Sequence, residues 1–476
     1  MCLTQPSSTS TRTCETGEVT SRRGPRLEPK EILQHGCTLV AFLSPLKLAW
    51  THAVLVPLIL LWLYTERPFL KKNLLPKNAA RIAAPFSFFL LAVTVSAATG
   101  LSPSHSVSAL VSLLFFTLTA PLFCSFAQPR SVITALIAGQ SIAAFHSLAE
   151  SALPFPIPRL FLGEVTESGQ LALTILALVG LCWGTATQQT ANNSTMHSTS
   201  PDSARTVYML GALMTALVTL VAFQGWLAIP AGESALLCGA VVVASLLIGQ
   251  AIRASRGYAR DLLLLVCIEA PLLLCALMIN LKRGPWLGVI VGASLFFTFY
   301  AKRFVWIIVV LSAAVAVGVQ PIYDRIASSY NHFTISGGRS TIWRIGAELA
   351  TEYPLGVGYH NSGILRQFST EIPRELKHFH NNLLNIVTEN GWLAGLLFAW
   401  FLVEVCRASF RKPRDPIYIA IGCAVISWQI AGLVEYNFGD SEVMVIVWML
   451  LGLLLQRESN AKPSRASEPA SVSSPN

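Results

Sequence analysis

The sequence is short of charge. Asp, Glu, Lys and Arg make up 12% of its 476 residues, whereas soluble domains carry roughly 25%. Hydrophobic residues make up 53% and recur in continuous runs of about 17–25 residues, the length that crosses a bilayer. These runs do not alternate with a period of two, which disfavours a β-barrel. The composition excludes an ordinary soluble domain and predicts an all-α polytopic membrane protein.

The longest polar stretch, residues 321–391, contains no cysteine and few acids. The ten cysteines lie elsewhere and form no CxxC pair, so neither a disulfide framework nor a zinc site is indicated. The carboxylates of the stretch are scattered and form no DxD-like pair, which disfavours a metal-dependent sugar-nucleotide transferase. We therefore expect no metal and no cofactor.

Apolar segments predict about fourteen spans, or twelve to thirteen if the two short first segments form one irregular span. Residues 32–320 and 384–456 would hold the transmembrane helices, and 321–383 would form one large loop containing short helices. The polar tails, 1–31 and 457–476, are predicted to be disordered, and the first is too polar for a signal peptide. The predicted spans are approximately 32–45, 48–64, 82–100, 106–126, 131–150, 168–187, 206–225, 235–251, 259–280, 285–300, 303–320, 384–405, 416–434 and 441–456.

Lys and Arg are unevenly divided between alternate loops. With the N-terminus inside, only ten of the 34 fall on the outer side, and loops on the cytoplasmic side normally hold the positive charge. The bias predicts that both tails are cytoplasmic and that residues 321–383 face outward. Membrane orientation therefore explains the net charge of +9, and we expect membrane lipids but no nucleic acid as partners. The positive charge that remains outside is consistent with an anionic ligand.

The outer loop has local order of its own. Apolar residues at helical spacing predict a helix over residues 340–352, capped by Ser340 or Thr341 and lying on the membrane surface or against the bundle. Gly356-Val357-Gly358 predicts a tight turn. The next span begins near Asn381, so His380 would lie at a helix N-terminus. Within that span, Gly391 and Gly395 form a GxxxG step that predicts a close helix contact.

Arginine and histidine on the outer face suit a substrate that carries phosphate. The guanidinium group matches phosphate oxygens in bidentate geometry and stays charged at any working pH. A histidine with an ordinary pKa near 6.5 can accept a proton from an attacking hydroxyl around neutrality. Because nucleotide sugars are cytoplasmic, an outward-facing site would need a lipid-borne donor.

Five motifs in order around this loop resemble the bacterial O-antigen ligase/polymerase family. The resemblance covers about residues 280–456, and only the hydropathy pattern matches upstream. Its last motif departs from the family pattern, because the second glycine follows the first by four residues. The motifs are Arg283-Gly284-Pro285-Trp286-Leu287, Gly338-Arg339-Ser340-Thr341-Ile342-Trp343, Pro354 to Gly358, His380-Asn381-Asn382-Leu383-Leu384 and Glu389 to Gly395.

The resemblance implies a metal-independent glycosyltransferase with a GT-C-like fold in the bacterial inner membrane. Such an enzyme moves a glycan from undecaprenyl diphosphate to an acceptor hydroxyl at the periplasmic face, with inversion. It implies that Arg283 and Arg339 bind the diphosphate and that His380 is the catalytic residue that activates or orients the acceptor. Further candidate substrate contacts are His378, His360, Asn381, Trp343 and Tyr436.

Several alternatives remain open at this point. The simplest acceptor is lipid A-core, as for an O-antigen ligase, but an O-antigen or exopolysaccharide polymerase and a protein O-oligosaccharyltransferase would use the same chemistry. From another class, a transporter of small anions or lipid-linked glycans would use Glu269, an acid predicted inside a span next to Pro271. Each site residue also has an alternative interpretation without a role in function. Arg283 would then snorkel from a span end, Arg339 would only pair with an acid such as Glu348, and His380 would only cap its helix.

Overall fold

The fold was analysed in a computed structural model, which describes residues 28–67, 79–152, 168–192, 260–335, 338–368, 370, 372 and 376–460. Throughout these residues the chain forms helices and no strand. The all-α prediction is therefore confirmed. The predicted spans 206–225 and 235–251 lie outside the described residues, as do most of both tails. The tail boundaries at 31 and 457 were wrong by a few residues, because each falls inside a helix.

Seven helices lie between residues 28 and 192. They are α1 (Pro29–Leu43), α2 (Leu48–Glu66), α3 (Ala80–Thr99), α4 (Pro103–Thr117), α5 (Thr119–Phe126), α6 (Pro129–Ala152) and α7 (Ser168–Asn192).

Nine further α-helices lie in the described residues between 260 and 460, together with one 3-10 turn at Ser362–Gln367. They are α8 (Arg260–Ile279), α9 (Arg283–Tyr300), α10 (Arg303–Gly318), α11 (Gln320–Ala327), α12 (Ser329–Thr334), α13 (Arg339–Glu352), α14 (Asn382–Phe410), α15 (Pro416–Ala431) and α16 (Ser441–Asn460).

Six helices in the described part of the chain are long and apolar enough to cross a membrane, or seven if one bent pair counts as a span. This confirms a polytopic membrane protein, while the total of twelve to fourteen spans stays a prediction. The helices pack closely through small residues, as is common in membranes. At Gly288, for example, a side chain would lie 2.6 Å from the carbonyl oxygen of Ser427, so only glycine lets α9 and α15 approach.

The chain turns sharply where α10 ends, because α11 and the start of α12 lie at 91° to α10. These two short helices expose Tyr323, Ile326 and Tyr330, the last with 74% of its surface accessible. A short helix that exposes apolar residues at right angles to a membrane span is typical of the membrane–water interface.

Helix α13 packs on the bundle, which decides between the two placements that its apolar stripe allowed. Its buried face contacts α14, where Thr388 Oγ1 donates to the Gly346 carbonyl at 3.0 Å and Trp392 Nε1 donates to the Ala350 carbonyl at 2.9 Å. The helix begins at Arg339, and its N-cap residue is Gly338. The prediction of a Ser340 or Thr341 cap was therefore wrong.

Candidate active site

The site is built around a break in α14. Gly391 has φ +84° and ψ 168°, which interrupts the helix and frees the carbonyls of the preceding turn. Val357 N donates to Thr388 O at 3.0 Å and Gly358 N donates to Glu389 O at 2.9 Å, while Trp392 N donates to Pro354 O at 3.2 Å. The two motifs, Pro354–Gly358 and Glu389–Gly391, are therefore one hydrogen-bonded unit.

Glycine is required on both sides of this unit. Gly356 has φ +92°, and a side chain there would clash with the carbonyl of Glu389. A side chain on Gly391 would lie 2.5 Å from the carbonyl oxygen of Pro354. The GxxxG prediction was wrong for this reason: Gly391 faces the backbone of a loop, and Gly395 faces Val387 of its own helix.

Glu389 lies just before the break, with 2% of its surface exposed. Its carboxylate accepts hydrogen bonds from the backbone N–H of His360 and from both the N–H and the hydroxyl of Ser362. One turn earlier, Asn385 Oδ1 accepts from Ser362 Oγ and from Phe379 N, both at 3.2 Å. One face of α14 therefore holds the two turns that carry His360 and His378–His380.

His378 and His380 form a close pair at the start of α14. Their ring centroids are 4.2 Å apart, and His380 N donates to His378 Nδ1 at 3.3 Å. The helix cap is Asn381, whose side chain accepts from Leu384 N and donates to the Leu433 carbonyl, each at 3.0 Å. Since Asn381 does the capping, His380 does not, and the structure gives Asn381 an anchoring role.

His380 also adopts a strained backbone, with φ +48°. His360 does the same, with φ +62°. A left-handed conformation costs a residue other than glycine on the order of 1–3 kcal/mol and persists where the surrounding structure imposes it, often at functional sites. Both turns are held in that conformation by α14.

Burial keeps the paired histidines neutral. The pKa of His378 is lowered to about 4, chiefly by burial and then by the neighbouring groups His380, Lys377, Arg339 and His360. Burial also lowers the pKa of His380, with a contribution from Arg339. At neutral pH both imidazoles are therefore in the form that can accept a proton.

Three arginines gather beside this pair. Arg283 begins α9 and its Nη1 donates to Ser329 Oγ of α12. Burial lowers the pKa of Arg283, the charges of Arg325 and Arg339 lower it further, and the charge of Glu435 raises it. Arg325 lies on α11, where its Nε donates to the Leu281 carbonyl at 3.2 Å. The sequence analysis did not single out Arg325, because nothing in its local pattern separates it from other basic loop residues.

Arg339 is half-buried at the start of α13. Burial lowers its pKa, Glu435 opposes that shift, and Arg325 reinforces it. The alternative in which Arg339 only pairs with an acid such as Glu348 is not supported for Glu348, because Glu348 pairs with Arg344 at 2.7 Å and the acid that acts on Arg339 is Glu435. Arg339 thus keeps its charge beside two other arginines.

Trp343 connects the arginines to the histidines. It lies one turn after Arg339, and its Nε1 donates to the Phe379 carbonyl at 2.9 Å. Its ring also meets Phe333 of α12 edge-on, with centroids 5.3 Å apart. Trp343 therefore links three segments of the site.

Tyr436 lies beside His378. Its ring centroid is 5.2 Å from that of His378, and its hydroxyl is buried. Burial raises the pKa of Tyr436 well above its ordinary value, and the charges of Glu389 and Tyr359 raise it further. The segment that carries Tyr436 is held against α14 by Asn382, whose side chain forms hydrogen bonds with Asn437 and with the N–H of Phe438.

His360 is exposed and contacts a helix from the N-terminal part of the chain. Its ring stacks on that of His105 of α4, with centroids 5.7 Å apart and planes at 27°. Nearby, Leu101 N donates to the Val357 carbonyl at 2.8 Å, and Ser96 Oγ of α3 donates to the Glu389 carbonyl at 2.6 Å. The sequence analysis missed these residues, because only the fold brings them to the loop.

These contacts bring Arg283, Arg339, His360, His378, His380, Trp343 and Tyr436 into one connected site. In the part of the chain that the structure describes, no group of three or more His, Cys, Asp or Glu side chains is placed to hold a metal ion. The residues that gather here are suited to binding an anion and to accepting a proton.

Residues 270–399, about a quarter of the chain, match a protein-family model described as O-antigen ligase. This confirms the family resemblance, and the family is one of membrane glycosyltransferases that act on lipid-linked glycans. A search of curated proteins found no match to the chain. The matched residues include Arg283, Arg339, His380 and Glu389, whereas Ser96, His105 and Tyr436 lie outside them.

Proposed function

We propose that this site transfers a glycan from undecaprenyl diphosphate to an acceptor hydroxyl, without a metal ion and with inversion. The observation that carries the proposal is the cluster of three arginines beside the neutral His378–His380 pair. The simplest assignment is an O-antigen ligase that acts on lipid A-core at the periplasmic face of the bacterial inner membrane. The distribution of Lys and Arg supports cytoplasmic termini and an outward-facing site.

The arginines are suited to a diphosphate. Arg283, Arg325 and Arg339 carry three positive charges close together, and Glu435 offsets one of them. A bound diphosphate would relieve the repulsion that remains and would accept bidentate hydrogen bonds. The exposed apolar residues of α11 and α12 lie on the same segment as Arg325, and they offer the hydrocarbon chain of the donor a route to the bilayer.

The chemistry needs one base and one charge stabiliser. His380 takes the proton from the acceptor hydroxyl as its oxygen forms a bond to the anomeric carbon. The bond between that carbon and the phosphate oxygen breaks, and the arginines stabilise the negative charge on the departing diphosphate. Attack from the side opposite the leaving group inverts the anomeric centre.

A transporter receives less support from the structure. Glu269 accepts a hydrogen bond from Ser141 of α6, and α8 continues through Pro271 as one helix. The broken helix with a buried acid that a transporter would show is instead α14, where the break is filled by the loop of the candidate site. The acceptor could also be a growing polysaccharide or a protein hydroxyl, since the transfer step is the same.

The test is transfer by purified protein of an undecaprenyl diphosphate-linked glycan to lipid A-core, with EDTA present. We expect transfer by the wild type and its loss, by about 100-fold or more, in both His380→Ala and Arg339→Ala. The matched control is Arg344→Ala, which removes an exposed ion pair from the same helix as Arg339 and should change the rate by less than about threefold.

Other outcomes have defined meanings. Growth of longer lipid-linked chains without transfer to lipid A-core would indicate a polymerase with the same site. Absence of transfer to any acceptor, from protein shown to be folded, would contradict the proposal and favour transport.

A further inference from the structure

A chain of contacts connects the parts of the site. Arg283 bonds to Ser329 of α12, and α12 contacts Trp343 through Phe333. Trp343 bonds to the carbonyl beside His380. This chain of contacts therefore begins at Arg283 and reaches the histidine pair through Trp343.

The chain of contacts continues beyond the histidine pair to a second pair. Asn385 bonds both Phe379 N and Ser362 Oγ, so it joins the His378–His380 turn to the turn that carries His360. His360 in turn stacks on His105. The chain of contacts that starts at Arg283 therefore passes the His378–His380 pair and ends at His360 and His105.

His105 and His360 are both exposed, so a ligand can reach them. Their positions are nevertheless fixed. Glu389 holds the backbone of His360, and the bond from Leu101 N to the Val357 carbonyl holds the corner before α4. Gly100 and Gly358 meet so closely that a side chain on Gly100 would lie 2.5 Å from the Val357 carbonyl oxygen. The pair is therefore preorganised and open to solvent.

We propose that His105 and His360 form the subsite that binds the acceptor, and that the acceptor portion bound there is a sugar ring. This inference rests on the proposed function. If the diphosphate lies on the arginines and His380 takes the proton, an inverting attack comes from the side opposite the leaving group. The acceptor then needs contacts in the part of the site that continues from the histidine pair to His360 and His105. Imidazole nitrogens both donate to and accept from hydroxyl groups, which are plentiful on a sugar. His105 lies outside the matched residues 270–399, so part of the acceptor specificity comes from the N-terminal half of the chain.

The first measurement is initial-rate kinetics of the full-length protein, with donor and acceptor varied separately. His105→Ala should raise the acceptor KM about tenfold, because it removes one hydrogen-bonding side chain from the bound sugar, and should leave the donor KM and kcat within about twofold. His105→Gln should restore part of the loss. Ser108→Ala, an exposed position one turn further along α4, is the matched control and should behave as the wild type.

A second measurement does not need turnover. Binding of the free core oligosaccharide of lipopolysaccharide, with no donor present, should be detected by saturation-transfer NMR for the wild type and be weaker by about tenfold for His105→Ala. A serine-containing peptide should show no such binding. This result stands even if the transfer assay fails, so failure of the subsite and failure of the proposed function can be told apart.

The inference is overturned by either of two results from folded protein. One is an unchanged acceptor KM and unchanged oligosaccharide binding in His105→Ala. The other is peptide binding that depends on His105 while the oligosaccharide does not bind, which would indicate a protein acceptor.

Discussion

Helices α8 and α14 each carry an acid inside an apolar segment, and the backbone around the acid differs between them. In α8, the helix continues past Glu269 and a hydroxyl from α6 satisfies the carboxylate. In α14, the helix breaks at Gly391, two residues after Glu389, and the carboxylate and freed carbonyls bind a loop. Of these two helices, the broken one presents its acid and its backbone carbonyls to the loop of the candidate site.

The largest effect is expected from closing that break. Gly391→Ala places a side chain 2.5 Å from the Pro354 carbonyl oxygen at a residue with φ +84°, so it should both strain the backbone and displace the loop. We expect transfer to fall by about 100-fold or more, with a clearly lower melting temperature. The counterpart in α8 is Pro271→Ala, which should leave activity within about threefold. Normal activity in Gly391→Ala would show that the break is not required.

An intermediate effect is expected from replacing each of the two acids, Glu389 and Glu269, with glutamine. Glu389→Gln keeps the shape but weakens the hydrogen bonds that hold His360 and Ser362, because a charged acceptor forms stronger bonds than an amide. Transfer should fall by about 10- to 100-fold, whereas Glu269→Gln should change it by less than about threefold. The reverse order of effects, measured at saturating donor and acceptor, would show that Glu269 contributes more to transfer than Glu389 does.

The smallest effect is expected in the pH dependence of transfer. This shift should follow from changes beside His380, at the start of α14. Because burial and Arg339 both lower the pKa of His380, transfer should persist below the ordinary histidine pKa of about 6.5 before it declines in acid. Removing the positive charge raises the pKa of His380, so the acid limb should move upward in Arg339→Gln and stay in place in Arg339→Lys. The profile of kcat/KM between about pH 4.5 and 8.5 measures this. Identical limbs in both variants would argue against His380 as the base.

The sequence predicted the parts of the site better than their connections. Hydropathy predicted helices, and the order of motifs led to Arg283, Arg339 and His380, because the family resemblance implies roles for the residues at these positions. The sequence did not show that Pro354–Gly358 and Glu389–Gly391 bind each other. These contacts are backbone hydrogen bonds between distant segments, and such bonds do not determine which side chains the segments carry.

His105 and Arg325 were missed for a related reason. His105 joins the site through the packing of the α3–α4 corner against the loop, and Arg325 joins it through the 91° turn after α10. Neither residue lies in a motif, so only the fold separates them from other exposed basic and imidazole side chains.

The break in α14 also has a consequence for the order of assembly. Inside a bilayer, a backbone carbonyl without a partner costs several kcal/mol, so the Thr388 carbonyl needs the Val357 N–H before this helix can settle at its final depth. The loop precedes α14 in the chain, so synthesis delivers this partner first. A circular permutant that places α14 ahead of its loop would have to insert the helix with the Thr388 carbonyl still unpaired, and should be produced poorly even though every contact of the finished protein is preserved.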